Sequence, residues 1–373
     1  MHHRTICFGS YHYDYVIEEK ISSELTSYIE HLQITKVFIV SDHQVPYPIV
    51  EEIKNELSSI FIVHLIQFPA GERYKTLKTV NRICEKMIEL KADRNSLIIA
   101  AGGGLAGNVA GMAATLLFRG LPLIHIPTTL MAASDSVLSL KQAVNLENGK
   151  NLVGHFYAPK LVYVNIKYLM ELPAREIQAG LCETIKNLLT IAPYSIKKLS
   201  SIFNRDQIYS QEELNVILQF CIEAKTNVMQ DDPYEKNEAL CLEYGHTIGH
   251  ALELAAKGTY NHGESIAFGM TCAAEISSEL GLLSQADVAL HYDLLAQIGV
   301  NVQPSQEELQ LVLNHYLKHD NKRGYIQMSD HQIGFVLLKE LGKMHYTNGQ
   351  LLTPVNVQLV KEIIKKRVKK YAI

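Results

Sequence analysis

The first half of the chain alternates short apolar runs with segments of helical length. The runs are rich in β-branched residues, are apolar on both faces, and cover residues 36–42, 60–68, 96–102, 121–127 and 160–166. Strands of this kind are typical of parallel sheets that carry helices on both faces. The pattern therefore predicts a Rossmann-like α/β nucleotide-binding domain, which we expect to span residues 1–172.

From about Leu172 onward the pattern changes to long helical periodicity. Three segments carry it, at residues 173–191, 211–230 and 263–283, and strand signals are nearly absent until residues 325–338. Apolar positions that recur every three or four residues predict amphipathic helices. We therefore expect an α-helical second domain at residues 173–373, although no low-complexity linker marks the boundary.

Residues 95–118 carry no charged side chain and are long enough to cross a bilayer at about 1.5 Å per residue. Five glycines and the polar residues Asn95, Ser96 and Asn108 interrupt this segment. A buried strand at 96–100, a glycine turn and a buried helix from about 106 to 117 explain the same residues. We therefore expect no membrane span here.

Composition narrows the classes of partner. The chain has 373 residues, 39 acidic and 35 basic side chains, a net charge of −4 and 47% hydrophobic residues. Without a basic excess we expect neither nucleic acid nor anionic membrane as a partner, and small-molecule chemistry is favoured. Six scattered cysteines without a CxxC motif argue against a disulfide framework, and no secretory signal is evident, so we expect a cytoplasmic protein.

A glycine-rich turn follows the strand at 96–102. Gly102, Gly104 and Gly107 fit the pattern G-x-G-x-x-G between a strand and a helix. In that context the backbone N–H groups at the helix N-terminus can bind a pyrophosphate. A conventional Rossmann unit carries an acid about 20 residues further on for the ribose, but residues 123–129 contain none.

The ribose partner of a bound dinucleotide must therefore lie elsewhere. Asp42 ends the strand at 36–42, and Glu72 and Lys75 lie in the loop PAGERYK. Acids at strand ends and in the loops that follow them commonly bind adenosine hydroxyls. A turn role for Asp42 and a helix-cap role for Glu72 explain the same residues equally well.

A second cluster has the composition of a metal site. Glu243, His246 and His250 have helical spacing, so we expect all three on one helix face. His262 follows in the motif NHGE, and Glu183 lies on another predicted helix, one turn before Lys186. Two histidines and a carboxylate from separate elements form an open site typical of catalytic zinc, and cobalt accepts the same ligands. Each histidine taken singly is better explained as a hydrogen-bonded core or surface residue.

Seven motifs occur in the order GGGLAGNVAG, FRG, IPTT, SDSVLSLKQAVN, GKN, GLCETIKN and EYGHTIGH with HGE. In this order the chain resembles the sugar phosphate cyclases, the 3-dehydroquinate synthase superfamily, from about residue 36 to 325. The resemblance implies a dehydroquinate synthase-like fold, a bound NAD, a divalent metal (zinc or cobalt), a sugar phosphate substrate and a homodimer.

Two departures from the dehydroquinate synthase motifs indicate which branch of the superfamily this chain resembles. Dehydroquinate synthases typically read DSSVGGKTG and RxLLNxGHT, whereas this chain reads DSVLSLKQA and ALCLEYGHT. Ala239 thus replaces an arginine and Glu243 replaces an asparagine, so a carboxylate substrate would lose a cation and meet a like charge. The strings resemble the branch that converts D-glucose 6-phosphate to 2-deoxy-scyllo-inosose and phosphate in aminoglycoside biosynthesis.

The resemblance assigns roles residue by residue. It implies metal ligands at Glu183, His246 and His262, and catalytic roles for Lys141, Lys186, Glu243 and His250. It places the phosphate near Lys141, Lys150, Asn151, His250 and Lys322, with Arg119 reaching in from a dimer partner. It implies substrate contacts at Asp135, Lys186, Lys225 and Glu235, and cofactor contacts at Asp42, Glu72, Lys75, Gly103, Gly104, Asn108, Thr128, Thr129, Asp135 and Lys150. Asn108 stands where the dehydroquinate synthases usually carry aspartate.

The implied chemistry explains the cofactors. Loss of phosphate from C6 of the sugar requires removal of a proton from C5, and that proton becomes acidic when C4 is a ketone. A held NAD that is reduced and reoxidised and a Lewis-acidic metal supply these conditions. We expect Glu243 either to take part in proton transfer or to accept a hydrogen bond from a sugar hydroxyl.

Other functions fit parts of the sequence. Dehydroquinate synthase is disfavoured by Ala239, and a valiolone-forming cyclase by the string SLKQAVN together with Glu243. A metal-dependent polyol dehydrogenase would accumulate NADH instead of releasing phosphate. A catalytically silent subunit is disfavoured because every ligand-type residue is present.

Overall fold

The computed structural model describes residues 2–19, 23–147, 149–319 and 324–370, in two compact units. Unit 1 comprises Met1–Pro173 and Tyr209–Ile222, and unit 2 comprises Ala174–Ile208 and Glu223–Ile373. The sequence predicted a single cut after residue 172, whereas the structure returns the segment 209–222 to unit 1. Helical periodicity shows that a helix has an apolar face but not which unit buries that face.

In its described part, unit 1 contains nine strands, five complete helices and the first part of a helix that continues into unit 2. The strands are β1 (His2–Phe8), β2 (Tyr11–Glu18), β3 (Lys36–Asp42), β4 (Ile62–Phe68), β5 (Ser96–Gly102), β6 (Leu123–Pro127), β7 (Lys141–Leu146), β8 (Gly149–Phe156) and β9 (Leu161–Asn165). The helices are α1 (Ser23–His31), α2 (Tyr47–Ser58), α3 (Leu77–Glu89), α4 (Gly104–Leu116) and α5 (Ile166–Met170). Short 3-10 turns at Glu72–Tyr74 and Leu117–Arg119 and a π-helical turn at Ala132–Ser136 complete it.

Seven of these strands form one sheet in the order β1-β2-β9-β6-β5-β3-β4. Within this sheet, the six neighbouring strands β2, β9, β6, β5, β3 and β4 pair in parallel. Strand β1 pairs antiparallel to β2 at the edge. All seven positions of β5 are buried, because helices cover both faces of the sheet. The predicted Rossmann-like α/β domain is confirmed, and the bounds of β3 and β5 are those that the sequence predicted.

Unit 2 is mainly helical. Its helices are α6 (Ala174–Thr190), α7 (Ile196–Ser200), α8 (Gln211–Met229, whose first part lies in unit 1), α9 (His246–Ala256), α10 (His262–Glu279), α11 (Gln285–Gln297), α12 (Gln306–Asn314) and α13 (Val357–Lys370). Its strands, β10 (Gln332–Val336), β11 (Leu338–Glu340), β12 (Lys343–Met344) and β13 (Leu352–Asn356), form two two-stranded sheets. Further 3-10 turns lie at Pro193–Ser195, Glu238–Glu243 and Tyr316–His319.

The helix that was predicted to carry Glu243, His246 and His250 on one face is shorter than expected. Glu243 ends a 3-10 turn, Gly245 adopts a left-handed conformation with φ of 80°, and α9 begins at His246. The shared-face prediction is therefore wrong for Glu243 and holds for His246 and His250. A left-handed residue ends one helical segment before another begins, which three- and four-residue spacing alone does not reveal.

The uncharged segment at 95–118 forms β5, the glycine turn and α4, as expected. Helix α4 has 13 residues, well below the roughly 20 that a transmembrane helix needs. Within the described ranges, no helix has both the length and the hydrophobicity needed to cross a bilayer.

Two glycines allow α10 to approach its neighbours closely. A Cβ at Gly263 would lie 2.4 Å from the backbone oxygen of Ala179 on α6. A Cβ at Gly269 would lie 1.9 Å from the backbone oxygen of Gly245, just before α9. Both contacts involve backbone atoms, which cannot move aside without shifting a helix. These glycines therefore set the distances between α6, α9 and α10.

We predict that Gly269→Ala destabilises the protein by about 3 kcal/mol or more, because the added methyl group forces α10 away from α9. Thermal or urea unfolding measures this loss. Gly334→Ala is the matched control, since its Cβ would lie no closer than 3.4 Å to its nearest neighbours, the side chains of Met328 and Leu352. Equal stability of Gly269→Ala and wild type would contradict the close-packing argument.

Candidate active site

A buried carboxylate lies at the centre of the candidate site in unit 2. Glu183 on α6 is 1% exposed, and its Oε2 forms an ion pair with Lys186, one turn later on the same helix. Its Oε1 has no hydrogen-bond partner among the described residues. Burial alone would raise the pKa of Glu183, but Lys186, followed by His262 and His246, holds this pKa well below its ordinary value. The carboxylate is therefore ionised and has an oxygen available for a cation.

His246 is oriented towards this oxygen. Its Nδ1 donates to the backbone oxygen of Tyr244 at 3.1 Å, which leaves Nε2 as the nitrogen with a lone pair. Nε2 lies 3.8 Å from Glu183 Oε1. Burial, assisted by Lys186, lowers the pKa of His246 to about 4, so the ring is neutral at physiological pH. A neutral imidazole is the form that binds metal ions.

His262 is placed by the N-terminal cap of α10. Asn261 accepts a hydrogen bond from the backbone N–H of Glu264, and the Glu264 carboxylate accepts one from the N–H of Asn261, forming a capping box. Arg175 on α6 binds both oxygens of that carboxylate, at 3.1 and 2.7 Å. The cap and the ion pair together hold His262 Nε2 3.6 Å from Glu183 Oε1.

Glu253 orients the His262 ring from its other side. The Glu253 carboxylate lies 3.1 Å from His262 Nδ1. Burial would lower the pKa of His262, but Glu253 and then Glu183 raise it to about 10. A carboxylate behind a ligating histidine fixes the ring and increases its basicity. Sequence reasoning missed Glu253, although it lies seven residues after His246 on the same face of α9.

The residues fit a divalent cation. Two ligands of one zinc ion, each at about 2.1 Å, lie at most about 4.2 Å apart. The Glu183 distances to His246 and His262 satisfy this limit, so the structure brings the three predicted ligands together. His250 also offers a nitrogen within 4.8 Å of nitrogens on His246 and His262. Because 4.8 Å exceeds the separation of about 4.2 Å that two ligands of one zinc ion allow, this distance does not assign His250 to the metal. Its predicted role near the phosphate stays a prediction.

Other predicted residues of unit 2 are also buried. Lys225 and Glu235 are each 4% exposed. Burial raises the pKa of the Cys241 thiol to about 12, and Lys186, Glu235 and Lys225 also act on that thiol, so their charges lie around it. Glu243 is half-buried and close enough to oppose the pKa lowering at His246 and His250. Lys322 lies outside the described residues.

The glycine turn of unit 1 provides a close backbone surface. Gly103 caps α4, and a Cβ there would lie 3.2 Å from the Thr129 side chain. A Cβ at Gly104 would lie 3.3 Å from the hydroxyl of Ser136. The N–H of Thr128 donates to the backbone oxygen of Gly102 at 3.0 Å, which ties the ends of β5 and β6 together. The turn therefore fits a pyrophosphate at the helix N-terminus.

Asp42 lies beside this turn. One carboxylate oxygen accepts from the N–H of Gln44 at 2.9 Å, and the other would lie 3.5 Å from a Cβ at Gly102. Burial, opposed by the Gln44 bond, raises the pKa of Asp42 above its ordinary value. The turn role and a ribose contact are both compatible with this placement.

Asn108 connects the turn to β7. Its Nδ2 donates to the Gly104 backbone oxygen at 2.8 Å, and its Oδ1 accepts from the N–H of Ala143, also at 2.8 Å. An aspartate could accept the second bond but not donate the first, which explains an amide where the dehydroquinate synthases usually carry an acid. The structure thus gives Asn108 two backbone partners, and its predicted contact with NAD stays a prediction.

The hairpin of β7 and β8 carries the predicted phosphate-side residues of unit 1. Lys141 begins β7 and, with Asn108, lines one recess beside the glycine turn. Lys150 pairs with Glu72 at 3.1 Å, and Lys75 donates to the Asn151 side chain at 2.6 Å. These contacts bring together residues that were predicted for cofactor and for substrate.

Two further predicted residues lie on turns. Asp135 belongs to the π-helical turn Ala132–Ser136 and is half-buried. Arg119 is exposed and left-handed, with φ of 66°, after the end of α4. An exposed arginine on a sharply turned loop suits the predicted reach towards a partner subunit.

Comparison with known proteins gives the family context. The model of the 3-dehydroquinate synthase N-terminal domain matches residues 65–179, and that of the C-terminal domain matches residues 180–323. The chain is 44% identical to a 2-deoxy-scyllo-inosose synthase of Niallia circulans, over 97% of this chain and 98% of the relative.

Solved structures agree with these sequence matches. A crystal structure of 2-deoxy-scyllo-inosose synthase complexed with carbaglucose-6-phosphate, NAD+ and Co2+ aligns with a TM-score of 0.92 at 43% identity, covering 98% of this chain and 100% of that one. The 2-epi-5-epi-valiolone synthase of Streptomyces hygroscopicus, with NAD+ and Zn2+ bound, shares the fold at 20% identity, with a TM-score of 0.83 over 98% of this chain and 99% of that one.

We predict that a divalent cation displaces about one proton per ion from the cation-free protein at pH 7.5. Below a pKa of about 10 His262 is protonated on the nitrogen that faces Glu183, and that proton must leave before the metal binds. The apparent affinity for Co²⁺ should therefore rise with pH around neutrality, well below that pKa. Calorimetric titrations in buffers of different ionisation enthalpy measure the release.

Glu253→Gln should release a smaller fraction of a proton, since the charge that raises the pKa of His262 is removed. Glu275→Gln is the control. Glu275 lies in the C-terminal half of α10, away from His262 at its start, and accepts a hydrogen bond from Tyr292 on α11. Cobalt binding without proton release by the wild-type protein at pH 7.5 would contradict the assignment.

Proposed function

This chain belongs to the 3-dehydroquinate synthase family and, within it, to the 2-deoxy-scyllo-inosose synthases, and on that premise we propose how its residues convert D-glucose 6-phosphate to 2-deoxy-scyllo-inosose and phosphate. The protein is an enzyme, a carbon–oxygen lyase that closes a carbocycle. The observation that carries the proposal is the cluster of Glu183, His246 and His262 in a chain that matches these synthases over nearly its full length.

Each cofactor has a matching set of residues. The glycine turn with Thr128 and Thr129 would hold NAD, and Glu183, His246 and His262 would hold cobalt or zinc. Bound there, NAD supplies reversible oxidation of an alcohol and the cation supplies a Lewis acid for sugar oxygens. Glu183 keeps its charge at neutral pH because Lys186 compensates it, so the ligand set is ready for a cation.

The phosphate of the substrate binds near the β7–β8 hairpin. Lys141, Lys150 and Asn151 lie on its two strands, and Lys141 borders the recess beside the glycine turn. Ammonium groups match a phosphate dianion in charge, and they stabilise the charge that grows when the phosphate leaves. Lys141 therefore orients the substrate and assists departure of its phosphate.

Lys186, Lys225 and Glu235 hold the ring hydroxyls. All three are buried, and all act on Cys241, so their charges lie within one small region of unit 2. Glu243 receives the proton that leaves C5, since it replaces a neutral amide of the dehydroquinate synthases and lies near His246.

Ala239 disfavours a substrate that carries a carboxylate group. It is fully buried, and its N–H is held by Asp232 at 3.1 Å, where dehydroquinate synthases typically carry an arginine. A carboxylate substrate would find no cation at this position and would meet Glu243 nearby. A neutral sugar phosphate avoids both costs, which favours glucose 6-phosphate over the dehydroquinate synthase substrate.

We also propose a cytoplasmic homodimer that acts in aminoglycoside antibiotic biosynthesis. The exposed Arg119 would contribute to the phosphate site of the partner subunit. A polyol dehydrogenase remains the alternative from another reaction class, and it would accumulate NADH without releasing phosphate.

We predict that the purified protein with glucose 6-phosphate, NAD and Co²⁺ releases phosphate and forms a carbocyclic ketone in equal amounts. Lys141→Ala should lower turnover about a hundredfold, as expected for loss of one preorganised donor. Phosphate release and mass spectrometry of the product measure both. Lys86→Ala is the control, because Lys86 pairs with Glu89 on an exposed helix face. Steady accumulation of NADH without phosphate would select the dehydrogenase instead.

We predict that Glu243→Gln lowers kcat strongly with little change in KM, because an amide cannot accept the C5 proton. Glu238→Gln is the control, since Glu238 begins the same 3-10 turn and accepts a hydrogen bond from Tyr346. Near-normal turnover with an altered KM would leave Glu243 only the role of hydroxyl acceptor.

A further inference from the structure

Asn145 on β7 joins two parts of unit 1, one with predicted cofactor contacts and one with predicted phosphate contacts. Its Nδ2 donates to Glu72 Oε1 at 2.8 Å, and its Oδ1 accepts from the backbone N–H of Asn151 at 2.8 Å. Its own N–H donates to the Lys75 backbone oxygen, also at 2.8 Å. One residue thus contacts the Glu72–Lys75 loop and the neighbouring strand β8.

The partners of Asn145 are themselves connected. Glu72 Oε1 also pairs with Lys150 at 3.1 Å, and the Lys75 ammonium donates to the Asn151 side chain at 2.6 Å. Asn151 has a left-handed φ of 54°, a conformation that needs local hydrogen bonds to be held. The bond from its N–H to Asn145 is one of them. Displacing Asn145 would therefore affect Glu72 and Asn151 together.

We propose that Asn145 is a positioning residue that holds Glu72 for the cofactor and Asn151 for the substrate in one fixed arrangement. The inference rests on the proposed function for the role of Asn151 and on the predicted cofactor contact of Glu72, but the hydrogen bonds of Asn145 are independent of that function. Asn145 acts through these two side chains, and no contact of its own with either ligand is required.

The amide is the group that this position requires. An aspartate could still accept from the N–H of Asn151, but it could not donate to Glu72 and would place a second negative charge beside it. A leucine of similar size would remove both bonds. The two substitutions therefore separate the cofactor half of the proposal from the substrate half.

The test measures NAD affinity by calorimetry and the KM for glucose 6-phosphate at saturating NAD and Co²⁺. Asn145→Leu should weaken NAD binding and raise that KM, each about tenfold, since one hydrogen bond to each partner is lost. Asn145→Asp should weaken NAD binding to a similar extent while leaving the KM within about twofold, because the acceptor for Asn151 remains. This split between variants is a readout that general destabilisation would not produce.

Asn81 supplies the matched control. Its Nδ2 donates to Glu85 Oε1 at 2.9 Å on the exposed face of α3, so Asn81→Asp and Asn81→Leu make the same chemical changes elsewhere in unit 1. The proposal is overturned if both Asn145 variants bind NAD and sugar phosphate like wild type, or if they alter both constants equally in parallel with a lowered melting temperature. If wild-type protein binds NAD but releases no phosphate from glucose 6-phosphate, the proposed function fails, and the NAD titration still decides the Glu72 contact.

Discussion

The second unit is organised around a carboxylate that is buried in spite of its charge. Transfer of an ionised Glu183 from water into the protein costs several kcal/mol unless nearby charges and dipoles compensate it. Lys186 supplies part of that compensation, and Glu183 Oε1 faces the nitrogens of His246 and His262. A buried carboxylate that faces two imidazole nitrogens also has the composition of a metal site, so this interaction bears on both the packing around it and the chemistry proposed for it.

The first unit carries the proposed site for a large anionic cofactor, which backbone groups would bind. A glycine turn at the end of β5 brings N–H groups close, and an amide at Asn108 fixes that turn against β7 without adding a negative charge. The β7–β8 hairpin then carries the lysines on the same unit. The proposed phosphate contacts therefore lie on a short antiparallel hairpin, whereas the proposed cofactor contacts include the glycine turn at the end of β5.

Periodicity was sufficient for five of the seven strands in the main sheet and for the long helices α6 and α8 of the second half. Strands β3 and β5 and helices α6 and α8 lie within two residues of the predicted bounds, because a fully apolar run or a regular helical repeat leaves few alternatives. Helix α10 ends at Glu279, four residues before the end of its predicted segment. Strands β1 and β2 and the β7–β8 hairpin were not predicted, because polar residues interrupt the apolar positions of all four strands. The role of Asn145 could not be found from the sequence, because its bond to Glu72 joins residues 73 positions apart that no sequence pattern connects.

The contact between Gly269 and the backbone before α9 has a consequence for how this enzyme can change over time. Main-chain atoms, rather than adjustable side chains, determine how far apart the ligand-bearing helices stand. Substitutions among surrounding apolar residues would then reduce stability before they widened the separation of the two imidazoles. The spacing of the proposed metal ligands therefore tolerates substitutions in the hydrophobic core. Related enzymes can differ in their core sequences while these histidines keep the same positions.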